Sequence, residues 1–218
     1  MQRSLLVSKI TAYPLPRVIA AVMLLTAAGV LGRVALQYVP SVEPLTPMAV
    51  LIGLLFGPFA GFASGASGFY ASNFLVWGGQ GPWTVLQCAG AGLAGALGGL
   101  AGKGNRSPLA AVAATICGVL LYETVVTLGS AALVSLSAPF AFLYVLTSLP
   151  FSFVHLTSST GFMLAFYACK DDVRKMAGGE LIEQEVVGFR SDTRRHGGSD
   201  HKLVSVGRTR RWFRYRSR

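Results

Sequence analysis

The sequence predicts an all-α integral membrane protein with six transmembrane helices and both termini on the cytoplasmic side. Three observations carry that prediction. Of 218 residues, 52% are hydrophobic and 13% charged, and the mean hydropathy is +0.54, which is outside the usual range for a soluble domain. Charge is also segregated: between Val34 and Cys169 the only formal charges are Glu43, Lys103, Arg106 and Glu123, so the net charge of +10 sits mostly near the ends. Finally, prolines and polar loops cut the apolar sequence into runs of membrane-crossing scale. A basic balance in a soluble chain would point to nucleic acid, but here it follows the retention of basic residues on the cytoplasmic side, and no nucleic-acid partner is expected. The expected division is a cytoplasmic lead over 1–16, a six-helix membrane domain over 17–169 and a basic cytoplasmic tail over 170–218, largely disordered.

Arg17 opens an apolar run to about residue 38, long enough for a first span. On it Ala21, Leu25, Ala28 and Gly32 recur at helical spacing, and small residues on one face let a second helix approach closely. The proline-rich stretch YVPSVEPLTP over 38–47 cannot continue that helix and reads as an ordered loop. The apolar run over 48–76 breaks at Gly57-Pro58. One long helix there would put Lys103, Arg106 and the basic tail on the side opposite the N-terminus, whereas two short spans put every basic cluster inside and Glu43 outside. A glycine-rich fourth span follows over about 83–101, a fifth over 109–136 and a sixth over 139–169, with Pro150 bending the last. Cys88, Cys117 and Cys169 are widely spaced in or at the end of apolar runs and read as packed thiols, neither disulfides nor metal ligands.

Polar residues inside this apolar chain mark the candidate site. The stretch over 72–92 sets a polar, aromatic, glycine-rich loop between two apolar runs, and its Asn73, Trp77, Gln80, Trp83 and Gln87 place amides and indoles where hydrocarbon alone would make an anchor. Glu123 is a carboxylate inside a span, where an unpartnered charge costs at least about 2.5–3.5 kcal/mol. In the sixth span Tyr144, Ser148, Ser152, His155 and Ser159 fall at spacings of four, four, three and four, giving one polar face. Two readings stay open: this stripe and Tyr122-Glu123 line a pocket with the loop, or Glu123 and His155 bond each other or the serines to satisfy the bundle interior. Arg33 has three outcomes, which are pairing with Glu43, meeting an anionic ligand, or snorkelling to headgroups.

Several stretches resemble one family in their order: VEPLTPMAVLIGLLFGPFAGFASG over 42–65, SNF over 72–74, GQGPWTVLQ over 79–87, and then the glycine-rich helix. The chain resembles the substrate-capture subunits, or S components, of energy-coupling factor (ECF) vitamin transporters. That resemblance implies an ECF S-component-like bundle in the cell membrane, multi-pass and not an enzyme, which binds a vitamin-like small molecule near its outer face. The loop over 38–47 would close over the ligand and the loop over 74–84 would line the site. Together with the polar residues read above, the expected ligand-binding set is Asn73, Trp77, Gln80, Trp83, Gln87, Tyr122, Glu123, Tyr144, Ser148 and His155. The implied partners are a membrane coupling (T) component, powered by two ATP-binding subunits, and the lipid bilayer; no cofactor or metal is implied. Docking in the family uses small residues on the first helix, which maps here to Ala21, Ala28 and Gly32, although Leu25 interrupts the repeat.

An alternative from another class is a rhomboid-like intramembrane serine protease, because residues 65–68 read GASG and His155 lies in a later span. Ser67 and His155 would then be nucleophile and base. The rhomboid's Trp-Arg loop signature is absent, and the surroundings of Ser67 read as a packing face of small residues.

Overall fold

The computed structural model describes residues 9–12, 15–104, 107–178, 180–183, 203–205 and 212–214. They fall into two units, one of Leu15–Gly178 and one of Met1–Pro14 with Gly179–Arg218. The first unit is all-helical: α1 (Leu15–Ala35), α2 (Leu45–Phe56), α3 (Pro58–Ser72), α4 (Pro82–Gly104), α5 (Pro108–Val134), α6 (Ala138–Ala168) and α7 (Lys170–Met176). Four stretches, Leu15–Ala35, Pro82–Lys103, Pro108–Val134 and Ala138–Ala168, are long and apolar enough to cross a membrane. The protein is therefore membrane-like in character.

The break expected at Gly57-Pro58 is present and has a local cause. Pro58 opens α3 at a position where its missing N–H costs nothing, and Gly57 adopts φ 103°, which L side chains rarely reach. The two pieces have 12 and 15 residues. At 1.5 Å per residue they span about 18 and 22 Å, less than the roughly 30 Å of a hydrocarbon core.

Helix α2 is the centre of the bundle. Every residue from Leu45 to Leu55 is buried, as expected of a helix that is apolar all round, and it packs against α1, α3, α4, α5 and α6. The glycines of α4 explain how α2 and α3 come so close. A Cβ on Gly95 would strike the backbone of Gly61 in α3, one on Gly98 the carbonyl of Val50, and one on Gly102 the carbonyl of Leu54. Backbone lies on backbone, which is the packing that small residues permit in an apolar solvent. Above this lies a second cluster of Val30, Leu45, Phe69, Ala91 and Tyr122, which forms the wall on which the site is built.

Helix α7 folds back so that Val173 joins the main core, and Lys170 sits 4.4 Å from the ring centre of Tyr167. The cysteines are free, but only Cys88 is half-buried; Cys117 and Cys169 are exposed, so the expectation of three packed thiols is corrected. Cys117 lies on an exposed face of α5, and Cys169 sits at the junction between α6 and α7.

In the second unit, β1 (Lys9–Ala12) pairs antiparallel with β2 (Glu180–Glu183), and β3 (Leu203–Ser205) with β4 (Trp212–Arg214). The rest of the lead over 1–14 and of the tail over 179–218, including most of its arginine-rich end, lies outside the described residues.

Candidate functional site

The site is built around a row of three ionisable side chains from three elements. Glu43 stands just before α2, and its Oε2 accepts from the Leu45 N–H at 2.7 Å while Oε1 accepts from the Thr46 N–H at 3.1 Å. A carboxylate there also meets the positive end of the α2 dipole. Glu43 Oε1 lies 2.9 Å from His155 Nε2, and His155 Nδ1 lies 2.6 Å from Glu123 Oε1. Ser152 Oγ donates to Glu123 Oε2 at 2.6 Å and completes the row. Neutral imidazole has one N–H, so His155 can donate to two ionised carboxylates at once only as imidazolium. Burial favours the neutral acid of Glu43, but the hydrogen bond and charge of His155, then Thr46 and Arg33, outweigh it and hold the carboxyl below its ordinary value.

A second constellation fixes Arg33, near the end of α1. Its Nη1 donates to Ser72 Oγ and, at 2.7 Å, to Asn73 Oδ1, while the guanidinium lies 4.5 Å from the centre of the Phe69 ring. Asn73 cannot turn the other way, because its Nδ2 donates to Thr84 Oγ1 at 3.1 Å and to Gln87 Oε1 at 2.8 Å. Thr84 in turn accepts from the Gly81 N–H at 3.1 Å. The turn between α3 and α4 is thereby tied to the cation on α1.

Between these two constellations lies a cavity of about 340 Å³. Arg33, Glu43, Phe69, Tyr122, Glu123 and His155 form its floor and walls, and residues 39–42 with Gln37 and Trp77 form its rim. Tyr122 packs edge-on to His155 at 5.2 Å and tilted on Phe69 at 5.3 Å. At the rim the Trp77 ring meets Tyr38 edge-on at 4.7 Å, and the Trp77 backbone N–H donates to Gln37 Oε1 at 3.1 Å. The cavity thus has aromatic walls, one guanidinium and a carboxylate-imidazole row.

Of the residues read from the sequence, Trp77, Tyr122, Glu123 and His155 line this cavity. Asn73 and Gln87 stand behind it and hold Arg33. Gln80 donates to the Tyr70 carbonyl at 2.8 Å, and the Trp83 ring packs over Gly81; neither lines the cavity. Tyr144 packs on Phe140 at 6.0 Å and Ser148 bonds the Val145 carbonyl at 2.8 Å, so the polar face of α6 runs past the site. Those two lie about 16 and 10 Å along the helix from His155; Tyr144, Ser148 and Ser152 are half-buried, and His155 and Ser159 are buried. Glu123 and His155 bond each other and also line the cavity, whereas the rest of the α6 stripe does not line it.

The cavity also uses residues that the sequence did not single out. Phe69 sits in an apolar run with nothing to mark it, and Gln37 is one polar residue at a helix end. Glu43 and Arg33 were conspicuous as charges, yet neither spacing nor periodicity linked Glu43 to His155, 112 residues away. On α1, Ala28 is exposed, but Ala21 is buried and Gly32 abuts the Pro44 ring. Ser67 donates its hydroxyl to the Ala63 carbonyl at 2.6 Å, and both nitrogens of His155 face carboxylates, so each group of the serine-histidine alternative is engaged elsewhere.

No family model, curated protein or solved structure matches this chain.

Proposed function

We propose that the chain is the membrane-embedded substrate-capture subunit of an ECF-type importer, which binds a vitamin or related micronutrient at its extracellular side. The observation that carries this reading is the cavity of about 340 Å³, lined by aromatic, cationic and carboxylate side chains and rimmed by two loops. Such a mostly pre-formed chamber with a few fixed polar groups suits a small planar molecule. In this reading α1 to α6 are six spans, with α2 and α3 as a short broken pair, and both termini are cytoplasmic. That places the basic residues at Lys103 and beyond Lys170 on the inner side, in line with the positive-inside tendency. The ligand would pass to a membrane coupling component driven by two ATP-binding subunits, because the chain carries no nucleotide-binding motif of its own.

The test is direct binding of a vitamin panel to the detergent-purified full chain, with mass spectrometry of any small molecule that co-purifies. One tight, saturable ligand, with affinity reduced by Glu123→Gln, is the expected result. A folded, monodisperse protein that binds no panel member and carries no small molecule would overturn the reading.

A further inference from the structure

The carboxylates of the cavity are all committed, and its guanidinium is not. Glu43 and Glu123 both bond His155, whereas among the described residues no carboxylate lies within 4.0 Å of Arg33. Arg33 does not extend to solvent or headgroups as a snorkelling arginine would. It is turned onto Ser72, Asn73 and the face of Phe69, with Ser72 and Asn73 themselves essentially fully buried. Those bonds use only Nη1; the other guanidinium N–H groups have no acceptor among the described residues, and the side chain lines the cavity. The Thr84 and Gln87 bonds to Asn73 fix the amide so that its oxygen, not its nitrogen, faces the cation. A cation held this firmly with donors to spare is a pre-organised half of a charge-assisted pair.

We infer that Arg33 is an anion subsite of the cavity and that the captured molecule carries a carboxylate, which Arg33 binds while the aromatic walls take its ring or chain. This rests on the capture reading for the identity of the molecule, but the anion subsite can be tested apart from it. The neighbouring row of two carboxylates with one imidazolium carries a net negative charge, so the cavity offers opposite charges at its two ends. A neutral ligand without an acceptor there would leave the spare N–H groups of Arg33 unpaired at the cavity wall; a carboxylate gives them a charged acceptor.

The experiment uses matched acid and amide probes on the full chain in maltoside: nicotinate with nicotinamide, biotin with biotinamide, and lipoate with lipoamide. Phenylglyoxal modification of Arg33, followed by peptide mass spectrometry, reads occupancy of the subsite even for weak binders. At least one acid should protect Arg33 while its amide does not. The same acid should bind about 10- to 150-fold more tightly than its amide, with the difference lost in Arg33→Gln, as for one charge-assisted hydrogen bond. Equal protection by acid and amide, or no protection by any acid, overturns the inference whatever else binds. Protection seen only after adding phosphatidylglycerol also overturns it, since the anion is then a lipid headgroup. If a neutral vitamin binds tightly and Arg33→Gln leaves its affinity unchanged, the anion subsite fails while the capture reading stands. If an acid protects Arg33 but nothing binds tightly, the subsite stands and the capture reading fails.

Discussion

Replacing Glu43 by Gln is the sharpest test of the ionic row, because that side chain ends α2, faces His155 and borders the cavity at the same time. Glu43 is 8% exposed, and its carboxylate accepts from two backbone N–H groups and from His155. Gln keeps one acceptor oxygen, but it removes the charge and turns an amide N–H₂ toward groups that are themselves donors. Breaking a buried ion pair from one side costs about 3–5 kcal/mol, and the retained oxygen sets the expectation at the lower end, about 3 kcal/mol. For a unit of this size that lowers Tm by about 6–12 °C. Thermal unfolding of the purified chain in detergent, followed by intrinsic tryptophan fluorescence, measures it. Because the pair acts as a unit, adding Glu43→Gln to His155→Gln should cost clearly less than the sum of the two single changes. A shift of under about 2 °C, or strict additivity in the double variant, would refute a buried carboxylate-imidazole pair. The pH dependence has a definite sign: since Glu43 is held below the ordinary value of 4.5, its contribution is present above that value and is lost as pH falls through the folded one. The wild type should therefore lose more stability on acidification below pH 4.5 than Glu43→Gln does.

Other perturbations separate packing from function. Gly95→Ala puts a methyl into the backbone of Gly61 and should destabilise by about 1–3 kcal/mol, whereas Gly161→Ala meets nothing within 4 Å and should be neutral or stabilising by up to about 1 kcal/mol; equal effects in thermal unfolding would contradict the close α3-α4 approach. Trp77→Ala, at a rim position that is 68% exposed, should weaken ligand binding by about tenfold with little change in Tm, and titration calorimetry would show an unchanged Kd if the rim takes no part. Ser67→Ala removes only a bond within α3 and should leave ligand affinity unchanged; cleavage of a transmembrane test substrate by the wild type but not by this variant would bring the protease alternative forward.

What the sequence made legible was whatever a local rule controls. The ends of α1, α4, α5 and α6 fall within a few residues of those expected, because apolar length and flanking prolines set them. The split at Gly57-Pro58 came from two residues and from the placement of Lys103 and Arg106, with no need of tertiary information. Glu123 and His155 stood out because a charge or imidazole within a span must be partnered. What stayed hidden was set by pairing across the bundle. Asn73 and Gln87 read as ligand-facing amides, yet their hydrogen bonds are spent on one another, on Thr84 and on Arg33. Composition cannot distinguish an amide that touches a ligand from one that holds the residue that does. Tyr144 and Ser148 share the polar face of α6, but a helical face carries no information on depth, and depth decides which residues meet the cavity.

Depth also divides the cavity into a part that should stay fixed and a part that should yield. Its floor is anchored to α2, which is buried throughout, and to the Phe69-Tyr122 wall, so moving it would disrupt the centre of the bundle. In the rim over 39–42 the Val39 N–H donates to the Leu36 carbonyl at 2.9 Å, and beyond it the bonds are long, Val42 N–H to the Val39 carbonyl at 3.3 Å and Ser158 Oγ to the Ser41 carbonyl at 3.4 Å. Ser41 itself has φ 60°, a conformation that costs a non-glycine residue about 1 kcal/mol or more. Few contacts, exposed backbone and local strain place this segment at the low end of opening free energies. Hydrogen exchange should therefore be faster across 38–42 than in any other segment between α1 and α6, by at least about tenfold relative to α2, and should slow on saturation with ligand. Exchange at the rim as slow as in α2 in the unliganded protein would show that the roof is as rigid as the floor, and access to the cavity would have to be sought between helices instead.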